Sequence, residues 1–123
     1  MRLAIVGSRT FNDYQLLKEK IECLGIVINE IVSGGAKGAD TLGAEYAKEN
    51  DIKLTVFLPD WEKHGRAAGF FRNRIIIDNC DMLIAFWDGQ SKGTKHSIDL
   101  AKQKNKDCKV INYVLEHSSS LRF

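Results

Sequence analysis

A chain of 123 residues with 44% hydrophobic content has room for one core and little for a second domain. A net charge of +2, a single proline and no low-complexity run argue against disorder and against a strongly electrostatic nucleic-acid binder. No apolar run approaches the roughly 18 residues of a membrane span, MRLAIVGSR lacks a signal-peptide plan, and the scattered Cys23, Cys80 and Cys108 suit reduced thiols in a cytoplasmic protein.

Taken in order, Arg2 to Val6 reads as a buried strand ending in the turn Gly7-Ser8-Arg9-Thr10. A helix follows, capped by Asn12 or Asp13, with Tyr14, Leu17, Ile21 and Leu24 on one face and Gly25 as its stop. A second strand, about Glu30 to Val32, breaks into Ser33-Gly34-Gly35-Ala36-Lys37-Gly38. The next helix places Ala39, Leu42, Gly43, Tyr46 and Ala47 together and ends near Asn50. A third strand spans Lys53 to Leu58 and stops at Pro59; the loop PDWEKHGRAAG then leads to a helix containing FFRNRIIID. The most apolar strand, Met82 to Trp87, precedes the turn Asp88-Gly89-Gln90-Ser91-Lys92-Gly93-Thr94. A helix from about Thr94 to Lys104 and a strand from about Lys109 to Val114 close a domain of residues 1–115, and residues 116–123 read as a frayed tail.

Strands alternating with helices give an α/β fold, a Rossmann-like three-layer sandwich around a five-stranded parallel sheet. The runs LAIV and MLIAFW suit strands covered on both faces, so the first and fourth belong at the centre, in the order 3-2-1-4-5. Ligands of such sheets bind beyond the carboxyl ends of the strands, at the switch between those two. Three loops converge there. The first carries Gly7, Ser8 and Arg9; the second Ser33, Gly34, Gly35, Ala36, Gly38 and Asp40; the third Asp88, Gly89, Ser91, Gly93 and Thr94.

Three glycines within residues 34–38 let a ligand approach the backbone, and the helix behind them offers unpaired N–H groups and a positive dipole end. That combination suits phosphate. The loop is neither a Walker motif, because Gly38 is followed by Ala39, nor a full dinucleotide fingerprint, because Ser33 holds the first glycine place. Lys37 is available to neutralise phosphate, and Arg9 can grip phosphate or carboxylate with two parallel donors. Arg72 falls on a helical wheel beside Ala68, Ile75 and Ile76, the face that should meet the sheet. It must therefore reach into the crevice for an anion or pair with Asp40 or Asp88. Asn73 and Arg74 lie further round, toward the polar face. Asp40 has a sufficient role in stabilising a helix start, with ribose binding or catalysis the minority reading. Trp61 and Trp87 can stack on a base but more often such rings are core. His64, His96 and His117 have no metal-ligand spacing, so no metal is expected. Ser8, Ser33 and Ser91 lack an evident base, so a hydrolase triad is unsupported.

GSR, SGGAKGAD, AGFFRNRII and IAFWDGQSKGT together resemble the SLOG superfamily, which groups the DNA-processing protein DprA (Smf) with the LOG phosphoribohydrolases. The nearest branch is the small single-domain YspA-like one, and the resemblance covers nearly the whole chain. It implies a Rossmann-like domain whose rim binds a nucleotide or nucleotide-derived ligand of the AMP, ADP-ribose or NAD class, no certain cofactor, a cytoplasmic setting, and a homodimer or higher homo-oligomer. On the DprA side, Gly7-Ser8-Arg9, the glycine loop with Asp40, and Arg72-Asn73-Arg74-Ile75-Ile76 match a domain that binds single-stranded DNA. The near-neutral charge and the lack of an evident basic and aromatic run make that the weaker expectation. On the LOG side, Arg72 matches the arginine of an Arg-Lys pair and Gly93-Thr94 the end of PGGxGTxEE, but His96 and Ser97 occupy the glutamate places. Without that carboxylate nothing evident stabilises an oxocarbenium-like transition state. If the chain is an enzyme, the implied chemistry is cleavage of a nucleotide's N-glycosidic bond, with Arg72 and Asp40 as candidate catalytic residues.

Overall fold

The computed structural model describes residues 1–113. Strands β1 (Arg2–Gly7), β2 (Glu30–Ser33), β3 (Lys53–Val56), β4 (Met82–Trp87) and β5 (Asp107–Asn112) form one parallel sheet in the order β3-β2-β1-β4-β5. The expected order and the central placing of the first and fourth strands are both found. Side chains alternate across β1: Leu3 and Ile5 face one layer, Ala4 and Val6 the other. On the first face lie α1 (Tyr14–Glu22) and α2 (Ala39–Glu49), which deliver Leu17, Ile21, Tyr46 and Ala47. On the second lie α4 (Ala68–Asp78) and α5 (Lys92–Gln103), which deliver Ile76, Ile77, Ile98 and Ala101. Full burial of a side chain such as Ile5 or Ile84 contributes about 1.5–3 kcal/mol, so these two clusters hold the three layers together. No helix among the described residues is long and apolar enough to cross a membrane.

Local chemistry explains most boundaries. Asp13 caps α1 by accepting from the Leu16 amide at 3.0 Å, and Ser91 caps α5 by accepting from Thr94. The Ser91 cap starts α5 at Lys92, two residues before the expected Thr94. Strand β3 ends at Val56 rather than Leu58, although Phe57 still donates to the Ser33 carbonyl at 2.9 Å. It is an edge strand, and the chain leaves the sheet there toward Pro59. The expected loop between β3 and α4 contains structure: α3 (Trp61–His64), whose Asp60 cap accepts from Lys63 at 3.1 Å, and a 3-10 turn at Gly65–Ala67. Strand β5 starts and stops two residues early, in register with all of β4. The expected tail from Glu116 onward lies outside the described residues.

One face was misjudged. Ile75 of α4 is 44% exposed, whereas Asn73, assigned to the polar side, is buried. The helix packs on α5 as well as on the sheet, so its covered arc is turned toward α5 and centred on Asn73, Ile76 and Ile77.

Candidate functional site

Because all five strands are parallel, the loops leaving β1 and β4 diverge to opposite faces and open a gap beyond the strand ends. The gap is a crevice of about 430 Å³. Gly7, Ser8 and Arg9 line it from β1, Ala36 and Asp40 from the start of α2, and Arg72 and Asn73 from α4. Asp88, Ser91, Gly93 and Thr94 line it from the β4–α5 turn. Val6 and Ile76 supply apolar surface, and Thr10 and Ser97 add two hydroxyls that were not among the expected binding residues. Ser97 had a signal: it lies three residues after Thr94, so two small hydroxyl residues share the inward face of α5.

Five of the expected residues do not line the crevice: Ser33, Gly34, Gly35, Gly38 and Gly89. Ser33 is buried, and its hydroxyl accepts from the Gly35 amide at 3.3 Å. Gly34 lies behind Arg72, whose Nη1 donates to the Gly34 carbonyl at 2.5 Å; a Cβ there would strike the guanidinium. Gly35 turns outward to Val56 and Leu58. Gly38 precedes α2 with φ +82°, and a Cβ would meet the Arg9 Cα at 2.8 Å. Here glycine lets the loops after β1 and β2 touch, and at Gly34 it makes room for an arginine. Lys37 is exposed and off the crevice lining, and Gly89 sits at the outer bend of the third turn.

Asp40 is 6% exposed. Its carboxylate accepts from the Ala36 amide at 3.0 Å, so the loop's own side chain occupies one of the donors that phosphate would use. Burial pushes its pKa up to about 6, against the opposing pull of the Ala36 amide and the Arg72 charge. Arg72 is half-buried. Its Nε donates to Asn73 Oδ1 at 3.1 Å, and desolvation and the nearby Arg9 charge lower its pKa while Asp40 raises it. Among the described residues no carboxylate forms an ion pair with Arg72; the pairs are Arg2–Asp81, Lys95–Asp99 and Lys104–Asp78. Of the two expected arrangements, then, the guanidinium reaches the crevice on carbonyl supports and feels Asp40 without contact.

Asp88 is a builder of its turn. Its Oδ1 accepts from the amides of Ser91 and Gln90, both at 2.8 Å, and these bonds hold its pKa below the usual carboxylate range. The Asp88 amide donates to Ser8 Oγ at 3.2 Å, joining the β1 and β4 loops across the switch. Trp87 Nε1 donates to the Ser91 carbonyl at 3.1 Å, which ties that ring to the turn. Arg9 stands on a loop anchored by Phe11, whose ring stacks on Phe86 at 4.7 Å and meets Tyr113 edge-on at 4.9 Å. The Tyr113 hydroxyl in turn lies 3.0 Å from Thr10 Oγ1. His117 lies outside the described residues.

The crevice thus combines two guanidinium groups, a buried carboxylate whose pKa is raised to about 6, several small hydroxyls and two helix starts. Such a set can hold an anion and hydrogen-bond a polyhydroxylated neighbour.

Among known proteins, the chain is 32% identical over 124 residues to the Gene 61 protein of Mycobacterium phage D29, covering 91% of this chain and 95% of that one. DNA processing protein A (DprA) from Streptococcus pneumoniae superposes with a TM-score of 0.77 at 21% identity over 98% of this chain. This chain spans about half of that protein, 53% of its length. DprA from Helicobacter pylori, described in terms of its single-stranded DNA binding mode, superposes with a TM-score of 0.68 at 24% identity. That match covers 94% of this chain and 67% of the other. At such identities the two structures establish a shared Rossmann-like fold. The model of the YspA, cpYpsA-related SLOG family matches residues 1–64, which hold the β1 turn and the glycine loop but end before Arg72. With half the sequence matched by that model and the phage relative aligned nearly end to end, the chain belongs to the YspA, cpYpsA-related SLOG family.

Proposed function

We propose that this domain binds a nucleotide or nucleotide-derived ligand of the AMP, ADP-ribose or NAD class in the crevice, as a sensor or a nucleotide-processing protein. The observation that carries this reading is the pair Arg9 and Arg72 set in a crevice of about 430 Å³ at the β1/β4 switch. Arg72 and the starts of α2 and α5 favour a phosphate; Asp40 accepts a ribose hydroxyl. The likeness to H. pylori DprA extends the same reading to a strand of nucleotides. A cytoplasmic setting accords with three unpaired thiols, and a homodimer with the exposed Leu54, Val56 and Leu58 along the open side of β3.

A thermal-shift panel of nucleoside monophosphates, ADP-ribose and NAD tests it. At 100 times Kd a ligand bound only to the folded state adds about 2.7 kcal/mol, which is read as a rise in Tm of several degrees. The expected result is at least one stabilising ligand whose effect is lost in Arg72→Ala; a flat panel at millimolar concentrations overturns the proposal.

Asp40 favours a second reading, an N-glycosidic hydrolase. A buried carboxyl with a pKa of about 6 is suited to general acid or base work near neutral pH, and it faces the same crevice as Ser97, which holds one of the two missing glutamate places. Incubation with AMP followed by chromatography decides it: free adenine supports hydrolysis, and intact AMP removes it.

A further inference from the structure

A helix on the surface of a domain ordinarily turns a polar face to water. Helix α4 does not. Its inner arc buries Ala68, Ile76 and Ile77, while the opposite arc carries Phe70, Phe71 and Ile75, which are 49%, 43% and 44% exposed. Phe71 and Ile75 are four residues apart and form one ridge. Helix α3 docks beside them through His64, whose ring stacks on Phe71 with centroids 4.1 Å apart, and it adds Trp61, 57% exposed. An apolar strip shared by two helices and edged with polar residues marks a contact surface.

The charges around the strip decide what it fits. Lys63, Arg66 and Arg74 are exposed, and among the described residues none of them forms an ion pair. The nearby carboxylates are mostly engaged. Asp60 accepts from the Lys63 amide at 3.1 Å, Asp99 from Lys95 at 2.8 Å, and Asp78 from Lys104. That leaves Glu62 as the one carboxylate of α3 and α4 without a partner among the described residues. The surface is therefore apolar and one-sidedly cationic, and its complement is apolar and acidic.

Three acidic or self-complementary occupants fit less well than a protein segment. A nucleic acid needs open ring faces, but His64 covers one face of Phe71 and the Arg74 guanidinium stands over the same ring, 6.0 Å from its centroid. The branched chain of Ile75 beside it suits a side chain better than a base. A face that lies in a membrane keeps its cations on the polar side, whereas Arg74 shares the arc of Phe70 and Phe71. A second copy seated symmetrically on this face would bring Lys63, Arg66 and Arg74 against their own counterparts.

We propose that the outer face of α3 and α4 docks an acidic segment of a partner protein, which sets aliphatic or aromatic side chains on Trp61, Phe71 and Ile75 and carboxylates on Lys63, Arg66 and Arg74. This docking is independent of what fills the crevice.

The test is a selection with the full chain as bait and a phage-displayed library of random peptides of about twelve residues, roughly three helical turns. Enriched sequences are expected to combine Asp and Glu with Leu, Ile, Phe or Trp, and a synthetic peptide of that sequence to bind with an affinity that falls as salt rises. Arg74→Glu weakens the peptide about tenfold or more by like-charge repulsion. Phe71→Ser, Ile75→Ser and Trp61→Ser each weaken it about fivefold or more. Near-unchanged melting temperatures verify that these exposed-site variants are folded. Val27→Ser, at a 78% exposed apolar residue on the α1–β2 loop, leaves binding intact. The proposal falls if no sequence is enriched, if the enriched sequences lack carboxylates, or if the variants bind the peptide as well as the unaltered chain does. It also falls if oligo-dT or phosphatidylserine vesicles bind the chain and lose that binding in the same variants, or if the chain sediments as a dimer that Ile75→Ser converts to a monomer.

Discussion

The loops after β2 and after β4 have similar compositions and opposite uses. Residues 33–38 hold three glycines, yet only Ala36 of that stretch faces the crevice; Gly34 makes room for Arg72 and Gly38 for the Arg9 backbone. In residues 88–94 a Cβ on Gly89 or Gly93 would meet nothing within 4 Å, and Asp88, Ser91, Gly93 and Thr94 all face the crevice. Glycine in a strand-to-helix turn is thus ambiguous: in the first loop it serves contact between protein segments, in the second it leaves space open.

The difference can be broken by substitution. The largest expected effect is at Gly38, where φ +82° and ψ −126° combine with a backbone collision. Gly38→Ala should lose about 3 kcal/mol or more in chemical denaturation, from strain and overpacking together. A loss under about 1 kcal/mol would mean the first loop is freer than its contacts indicate. Next comes Asp40, which closes that loop on Ala36. Its folded pKa of about 6 lies above the ordinary 3.8, so the folded state binds the proton more tightly. The stability this supplies is complete below about pH 4 and is lost as pH rises through about 6. Asp40→Asn keeps an acceptor for the Ala36 amide, so it should flatten that slope and raise stability at pH 7 by about 2–3 kcal/mol. Denaturation midpoints measured from pH 4 to 7.5 check it, and an unchanged slope would place the titration elsewhere. The smallest effect belongs to the second loop: Gly93→Ala, in the first turn of α5 with open space around it, should change stability by less than about 1 kcal/mol and in the stabilising direction.

Sheet order and layering were readable because β1 and β4 are continuous apolar runs, which only a doubly covered parallel strand requires. The helix starts at Asp13 and the switch-point position followed from equally local chemistry. What escaped depended on partners distant in sequence. Asn73 is buried because α5 brings Gly93 and His96 to it, and no wheel drawn on α4 alone contains α5. The direction of the glycine loop was hidden because Arg72, 38 residues away, fills the space behind Gly34. Trp61, weighed in the sequence between a base-stacking ring and a core ring, stands 57% exposed on α3.

The aromatic stack of Phe11, Phe86 and Tyr113 bears on how quickly such a crevice can act. By clamping the segment that carries Arg9 to β4 and to the residue that follows β5, folding has already removed much of that segment's freedom, and the Gly34 carbonyl does the same for Arg72. On the proposed reading, an arriving anion would find its counter-charges standing ready, with little loop entropy left to lose and little rearrangement to wait for. Loosening the clamp with Phe11→Ala would slow capture even though that ring never meets the ligand.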